Sequence, residues 1–205
     1  MSNLDSLIEH FEAFPGVGAR QARRFAFHML TLHPNNIKEI AELILNLQST
    51  VAECISCHRF FSRNGGTASE CSICSDGNRD RTKLMVVERD SDIVAVERSN
   101  VYDGLYFVLG GTIPLLNSQE TSGLRSGALK ATIETRMDQE LAEIILAFAV
   151  NPDGENTGRY VESILKDYIE KKSLKVSQLG RGLSTGSELE YADPETIKNA
   201  IAHRT

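Results

Sequence analysis

The chain lacks any apolar run long enough to cross a bilayer, for which about 20 consecutive apolar residues are needed, so no membrane span is expected. The opening residues, Met1-Ser2-Asn3-Leu4-Asp5, carry neither a basic n-region nor an apolar h-region. They do not read as a signal peptide, and a cytoplasmic protein with reduced thiols is expected. Low-complexity tracts and long internal repeats are missing too, which argues against a solenoid. Positive charge is in short supply: 22 Lys and Arg face 28 Asp and Glu, for a net charge of −6. A broad non-specific nucleic-acid surface would be basic, so it is disfavoured, although a local basic face is not. What remains is ordinary: 205 residues, 41% hydrophobic and 24% charged, enough for one domain or for two to three small ones.

Cysteine is scarce, and all of it is in one place. The four residues follow Cys54-x2-Cys57-x13-Cys71-x2-Cys74. A C-x-x-C pair sets two thiolates on one side of a tight turn, and two such pairs make a tetrahedral S4 cage suited to zinc. Disulfides are disfavoured in a reducing compartment, a redox dithiol needs only one pair, and iron–sulfur clusters use other spacings. With all four positions filled by protein, the metal is expected to be structural. The loop Ser62-Arg63-Asn64-Gly65-Gly66-Thr67 reads as the hairpin tip between the two knuckles, and His58 as a bystander.

Two amphipathic helices are expected at the N-terminus, over 4–13 and over 19–32, joined by Phe14-Pro15-Gly16-Val17-Gly18. The glycines permit a tight turn and leave backbone N–H groups bare, and the second helix begins there. Gly16, Gly18 and Arg20 would thus form an anion site fit for a DNA phosphate, with Arg23 and Arg24 on the same outer side. Such contacts ignore base sequence. A purely structural αα-hairpin with solvated arginines is the alternative. Phe27, set among the arginines, hints at a partner surface. A third helix should follow, capped by Asn36 with Glu39 three residues on.

Beyond Cys74 the pattern changes. Strands are expected at 83–88, 105–109, 144–150 and 174–179, alternating with helices at 92–99, 127–140 and 156–170. That alternation implies a mostly parallel sheet with helices on its faces. Ligands of such sheets sit beyond the C-terminal strand ends, where Glu88, Asp153 and Glu155 could share a Mg2+. Asp90 and Asp92 read as helix caps. The acidic cluster serves either phosphoryl transfer or protein contact, and pattern alone leaves both open.

In this order, Phe14-Pro-Gly-Val-Gly18, Ala26-Phe27-His28, the C4 site, Arg79-Asp80, Val86-Val87-Glu88, Tyr106-Phe-Val-Leu-Gly-Gly111, Asn151-Pro152 and Glu188-Leu-Glu-Tyr191 resemble the RecR family of bacterial recombination mediators. The resemblance spans nearly the whole chain. It implies an α/β multidomain protein: a helix-hairpin-helix domain over 1–52, a C4 zinc finger over 53–80, a Toprim domain with a Rossmann-like parallel sheet over 81–177, and a C-terminal oligomerisation segment over 178–205. It further implies a non-enzymatic clamp in recombinational DNA repair, forming dimers or ring tetramers on DNA. Its partners would be RecO and RecF proteins, with which it would load recombinase at single-strand gaps. The zinc would act as a fixed joint, and the acidic Toprim face would meet a partner or bind Mg2+ weakly. A Toprim-type Mg-dependent phosphoryl-transfer enzyme, primase- or nuclease-like, is the alternative. The chain departs from the family's habit at Gly18-Ala19-Arg20, where Gly-Pro-Lys is usual, at Thr112-Ile-Pro-Leu-Leu116, and at Asp153-Gly154-Glu155, where Glu-Gly-Glu is usual.

Overall fold

The computed structural model describes residues 2–63, 65–117, 123–138, 140–180, 190, 192 and 194–202. Its backbone contacts divide into two units, Met1–Val51 and Ala52–Thr205.

The first unit is helical. Helix α1 (Asn3–Glu12) opens on a capping box: the Ser2 hydroxyl accepts from Asp5 N at 3.2 Å, and the Asp5 carboxylate accepts from Ser2 N at 3.0 Å. Helix α2 (Ala19–Thr31) buries Ala22 and Ala26. Phe11 of α1 meets the Phe14 and Phe25 rings, each with centroids 6.0 Å away. Helix α3 (Pro34–Thr50) starts two residues before the expected Asn36. The cap is His33, whose Nδ1 accepts from Asn35 N at 3.3 Å. Pro34, which has no N–H to lose, follows at the first helical position. Several apolar residues of α3 are exposed, among them Leu43, Ile44 and Leu45 at 65%, 65% and 80%.

The second unit begins with a small ladder of β1 (Val51–Glu53) and β2 (Phe60–Ser62). Its turn is the first Cys-x-x-Cys itself, closed by Cys54 N donating to Arg59 O at 2.8 Å. The expected tip at 62–67 is instead a separate turn, in which Gly66 N donates to Arg63 O at 2.7 Å. The knuckle fold wins because the thiolates must converge, and convergence brings the flanking Val51-Ala52 and Phe60-Phe61 into register.

The main sheet consists of β3 (Asp80–Val87), β4 (Gly104–Val108), β5 (Glu143–Ala147) and β6 (Lys175–Gln178), all parallel, in the order β4-β3-β5-β6. Leu84 to Val87 and all of β4 are buried, as an apolar run covered on both faces requires. Helices α4 (Asp90–Ser99), α5 (Ser126–Met137) and α6 (Pro152–Lys172) supply Ile93, Leu129, Ile133, Val161 and Leu165 to the same core. Helix α6 starts at Pro152 rather than at the expected 156, because Asn151 caps it: Oδ1 accepts from Gly154 N at 2.8 Å. A bidentate ion pair of Arg79 with Glu97, completed by Tyr106 Oη donating to Glu97 at 2.6 Å, ties the entry of β3 to α4. The guanidinium holds the Glu97 carboxyl below its usual range. Helix α7 (Pro194–Ala202) ends the described chain. Of the Glu188–Tyr191 motif, all but Glu190 lies outside the described residues.

Candidate metal centre and nucleic-acid interface

Cys54, Cys57, Cys71 and Cys74 are buried and unbridged, and their sulfurs lie within 4.8 Å of one another. A tetrahedron with Zn–S bonds of about 2.3 Å has S···S edges of about 3.8 Å. Cys57 Sγ and Cys71 Sγ stand 3.7 Å apart. The donor set therefore fits zinc in both chemistry and size. Cys71 N donates to Cys54 Sγ at 3.3 Å, an amide contact that favours a thiolate. The Cys54 thiol is held well below its ordinary value, chiefly by the Cys57 thiol, whereas Cys74 is pushed up, chiefly by Cys54. Four thiols this close cannot all ionise without a cation among them. Among the described residues this is the one cluster of His, Cys, Asp and Glu gathered closely enough to hold an ion.

The cysteines share one core with the sheet. Three links fasten them there. Val108 N, on the outer edge of β4, donates to Cys57 O at 2.8 Å. Phe60 N donates to Asp90 Oδ1 at 2.6 Å, so Asp90 is a latch rather than a helix cap. His58 stays outside the metal set, as expected, but it has a structural role: it takes a left-handed backbone at φ 61°, sets its ring edge-on to Phe107 at 5.1 Å, and meets Glu53 Oε1 through Nδ1 at 2.7 Å. Arg125 Nε reaches the same Glu53 oxygen at 3.2 Å.

At the helical hairpin, Gly16 takes φ 76°, the left-handed conformation that favours glycine, and Gly18 is the N-cap of α2. No side chain caps α2, and no acid stands in its first turn, unlike α1. A Cβ at either glycine would meet nothing within 4 Å. Packing therefore does not explain Gly18, and the open space leaves the helix start accessible. Arg20, Arg23 and Arg24 are all exposed, with Arg24 Nη1 donating to Gln21 Oε1 at 3.2 Å. Gly16 and Gly18 thus lie at the start of α2, Arg20 in its first turn, and Arg23 and Arg24 further along the same helix.

The acidic trio is not gathered in this way. Glu88 follows β3 at the point where the chain crosses from one side of that strand to the other, the usual ligand crevice of such sheets. Its carboxylate meets Arg89 Nη2 at 2.7 Å. Asp153 Oδ1 accepts from Leu115 N at 2.9 Å, and Glu155 pairs with Arg159 at 3.7 Å, one turn along α6. Each carboxylate is already engaged, and two of them complement the N-terminus of α6.

Known domains match three parts of the chain, on either side of the cysteine module. Residues 4–47 match the RecR helix-hairpin-helix model, residues 82–180 the Toprim domain model, and residues 182–205 the RecR C-terminal model. The fold class is therefore a helix-hairpin-helix protein with a Toprim sheet and a four-cysteine centre. The chain is 37% identical over 199 residues to the recombination protein RecR of Streptococcus thermophilus, covering 97% of this chain and 94% of that one. It is 35% identical over 198 residues to the RecR of Lactococcus lactis subsp. cremoris, covering 97% and 94%, and 34% identical over 202 residues to that of Staphylococcus haemolyticus, covering 98% and 96%. The chain belongs to the RecR family.

Proposed function

We propose that the chain is a non-catalytic, DNA-binding mediator of recombinational repair that acts in the cytoplasm. The observation that carries this reading is the start of α2: uncapped, free of acid, set at an open glycine turn and flanked by Arg20, Arg23 and Arg24. Amides at a helix N-terminus with nearby guanidinium groups suit a phosphate and read no base. With a net charge of −6, few phosphates are neutralised per chain, so binding is weak and strongly salt-dependent. Oligomerisation into a dimer or ring tetramer multiplies such contacts, and the uncovered apolar length of α3 supports it. Zinc on the four cysteines is structural, contributing about 10–16 kcal/mol in modules of this kind.

Glu88, Asp153 and Glu155 form a face for partner proteins of the RecO and RecF types, with which the clamp loads recombinase at single-strand gaps. The ion pair of Glu88 with Arg89 favours a contact role over a Mg2+ site. The double variant Arg20→Ala, Arg24→Ala tests the DNA face by fluorescence anisotropy over a salt series. For every phosphate that the variant no longer neutralises, the slope of log K against log[salt] should become shallower by about 1. An unchanged slope and affinity would remove the hairpin from the DNA interface. In parallel, Mg2+-dependent cleavage or synthesis that vanishes in Glu88→Gln would replace this reading with an enzymatic one.

A further inference from the structure

A polar cavity of about 430 Å³ lies within the Ala52–Thr205 unit, between the cysteine module and α5. Sites of roughly 300–1,000 Å³ suit small-molecule ligands. Its wall carries Arg136, Arg81, Ser56, Thr132, Thr135 and Glu70. Arg136 is only 9% exposed, yet its guanidinium has no hydrogen bond or ion pair among the described residues. Arg81 has none either. The one carboxylate on the wall, Glu70, is engaged by the Ser56 hydroxyl. Thr135 Oγ1 donates to Ala131 O at 2.9 Å, so it has no proton left to give an anion.

A guanidinium presents five N–H donors in a rigid fork and stays charged. The Arg136 nitrogens are not sealed from solvent, since the one buried side-chain polar atom without a partner among the described residues is Arg59 Nε, so they remain open to a ligand. The neighbouring cysteines are the obvious counter-charge, since Cys74 also lines the cavity. However, no hydrogen bond joins either arginine to a cysteine sulfur, and the contacts that do reach a sulfur come from a backbone amide and a neighbouring cysteine. The donors of Arg136 open instead on the space it shares with Arg81. Two guanidiniums, one of them on the exposed Arg81, and a threonine hydroxyl line this one polar space, a donor set that suits a tetrahedral oxyanion, which accepts bidentate donation from several sides. We infer that this cavity is a binding site for a phosphate group, held by Arg136 and Arg81 and oriented by Thr132. It is separate from the hairpin that meets DNA. The volume leaves room for the group that a phosphate monoester would carry.

The zinc-loaded full chain is titrated by calorimetry with sodium phosphate and, separately, with adenosine monophosphate, at ionic strength held constant with NaCl. Saturable binding of one or both is expected, with a matching rise in the thermal midpoint. Preference for the monophosphate assigns the site to an esterified ligand, and preference for inorganic phosphate assigns it to the free ion. Arg136→Met should weaken binding at least tenfold, and Arg136→Lys, which keeps charge but not the fork, less than that. Arg81→Ala and Thr132→Val leave the buried arginine in place and should each weaken binding about threefold, so they decide the matter if Arg136→Met does not fold. The absence of saturable binding by either probe overturns the proposal. So does parent-like affinity in Arg136→Met, or in Arg81→Ala and Thr132→Val together. Faster loss of zinc from Arg136→Met to a chelator, with phosphate affinity unchanged, would make Arg136 a partner of the metal centre and would overturn it as well.

Discussion

Two glycines of α6 stand one turn apart and predict opposite outcomes. A Cβ on Gly154 would lie 2.0 Å from Ala149 O, a backbone atom that cannot step aside. Gly154→Ala should therefore cost about 3 kcal/mol in chemical denaturation, the scale of an overpacked core. A Cβ on Gly158 meets only the Gln178 and Phe148 side chains, both at 3.9 Å. Gly158→Ala should stabilise by up to about 1 kcal/mol through helix propensity alone. At this scale the sequence was legible wherever spacing dictates chemistry. The four cysteines cluster as their spacing implies, and Gly16 and Gly18 make the turn into α2. It was not legible where a residue acts through a distant partner. Asp90 looks like any helix-capping acid until Phe60 N is found 2.6 Å from it, 30 residues away in the chain. His58 next to Cys57 gives no sign of its left-handed backbone or of its edge-on contact with Phe107. Arg136 reads as one more polar residue in the last turn of a helix, and only the structure shows it buried.

Among the elements, the small cysteine hairpin depends most on something other than burial. Its strands β1 and β2 have three residues each, too few to be stable alone in water. The contacts with Asp90, Phe107 and Val108 fasten it, and a zinc ion on the four cysteines, as proposed, would supply the rest. Replacing Cys57 by Ser removes one ligand and should release zinc to a chromogenic chelator at concentrations the parent resists. Amide exchange should then rise over 54–74 and also in β4, whose Val108 N is bonded to this module. A variant that kept its zinc and its exchange pattern would show that three ligands suffice. The strands and helices were legible from the alternation of apolar runs with 3.6-residue periodicity. Their ends were not, because α3 and α6 are started by His33-Pro34 and Asn151-Pro152 rather than by the first apolar residue. The hairpin turn was illegible for a related reason. Glycines at 65–66 are the stronger local turn signal, but the sulfur geometry overrides them.

For the whole molecule, the largest unmet demand is the apolar length of α3. Ile37, Leu43, Ile44, Leu45 and Leu47 are all exposed, on a helix without a single buried residue. Soluble proteins seldom leave such a stripe bare. Light scattering should find an oligomer, and the double variant Ile44→Glu, Leu47→Glu should shift its mass towards that of one chain. On the proposed reading, in which several chains share the phosphate contacts, DNA affinity should fall with it. An unchanged mass would mean that α3 is not where chains meet. That exposure was not legible in the sequence, because periodicity reports which face of a helix is apolar and not what lies against it.

The bond from Val108 N to Cys57 O has a consequence on this scale. β4 is an edge of the parallel sheet and is buried along its whole length. Edge strands recruit other strands unless they are blocked. Here the block is the segment that carries the four cysteines, which the proposed zinc would hold in shape. Loss of the metal would turn a tidy boundary into an adhesive one. The aggregation tendency of this protein should therefore follow the supply of zinc more closely than it follows temperature.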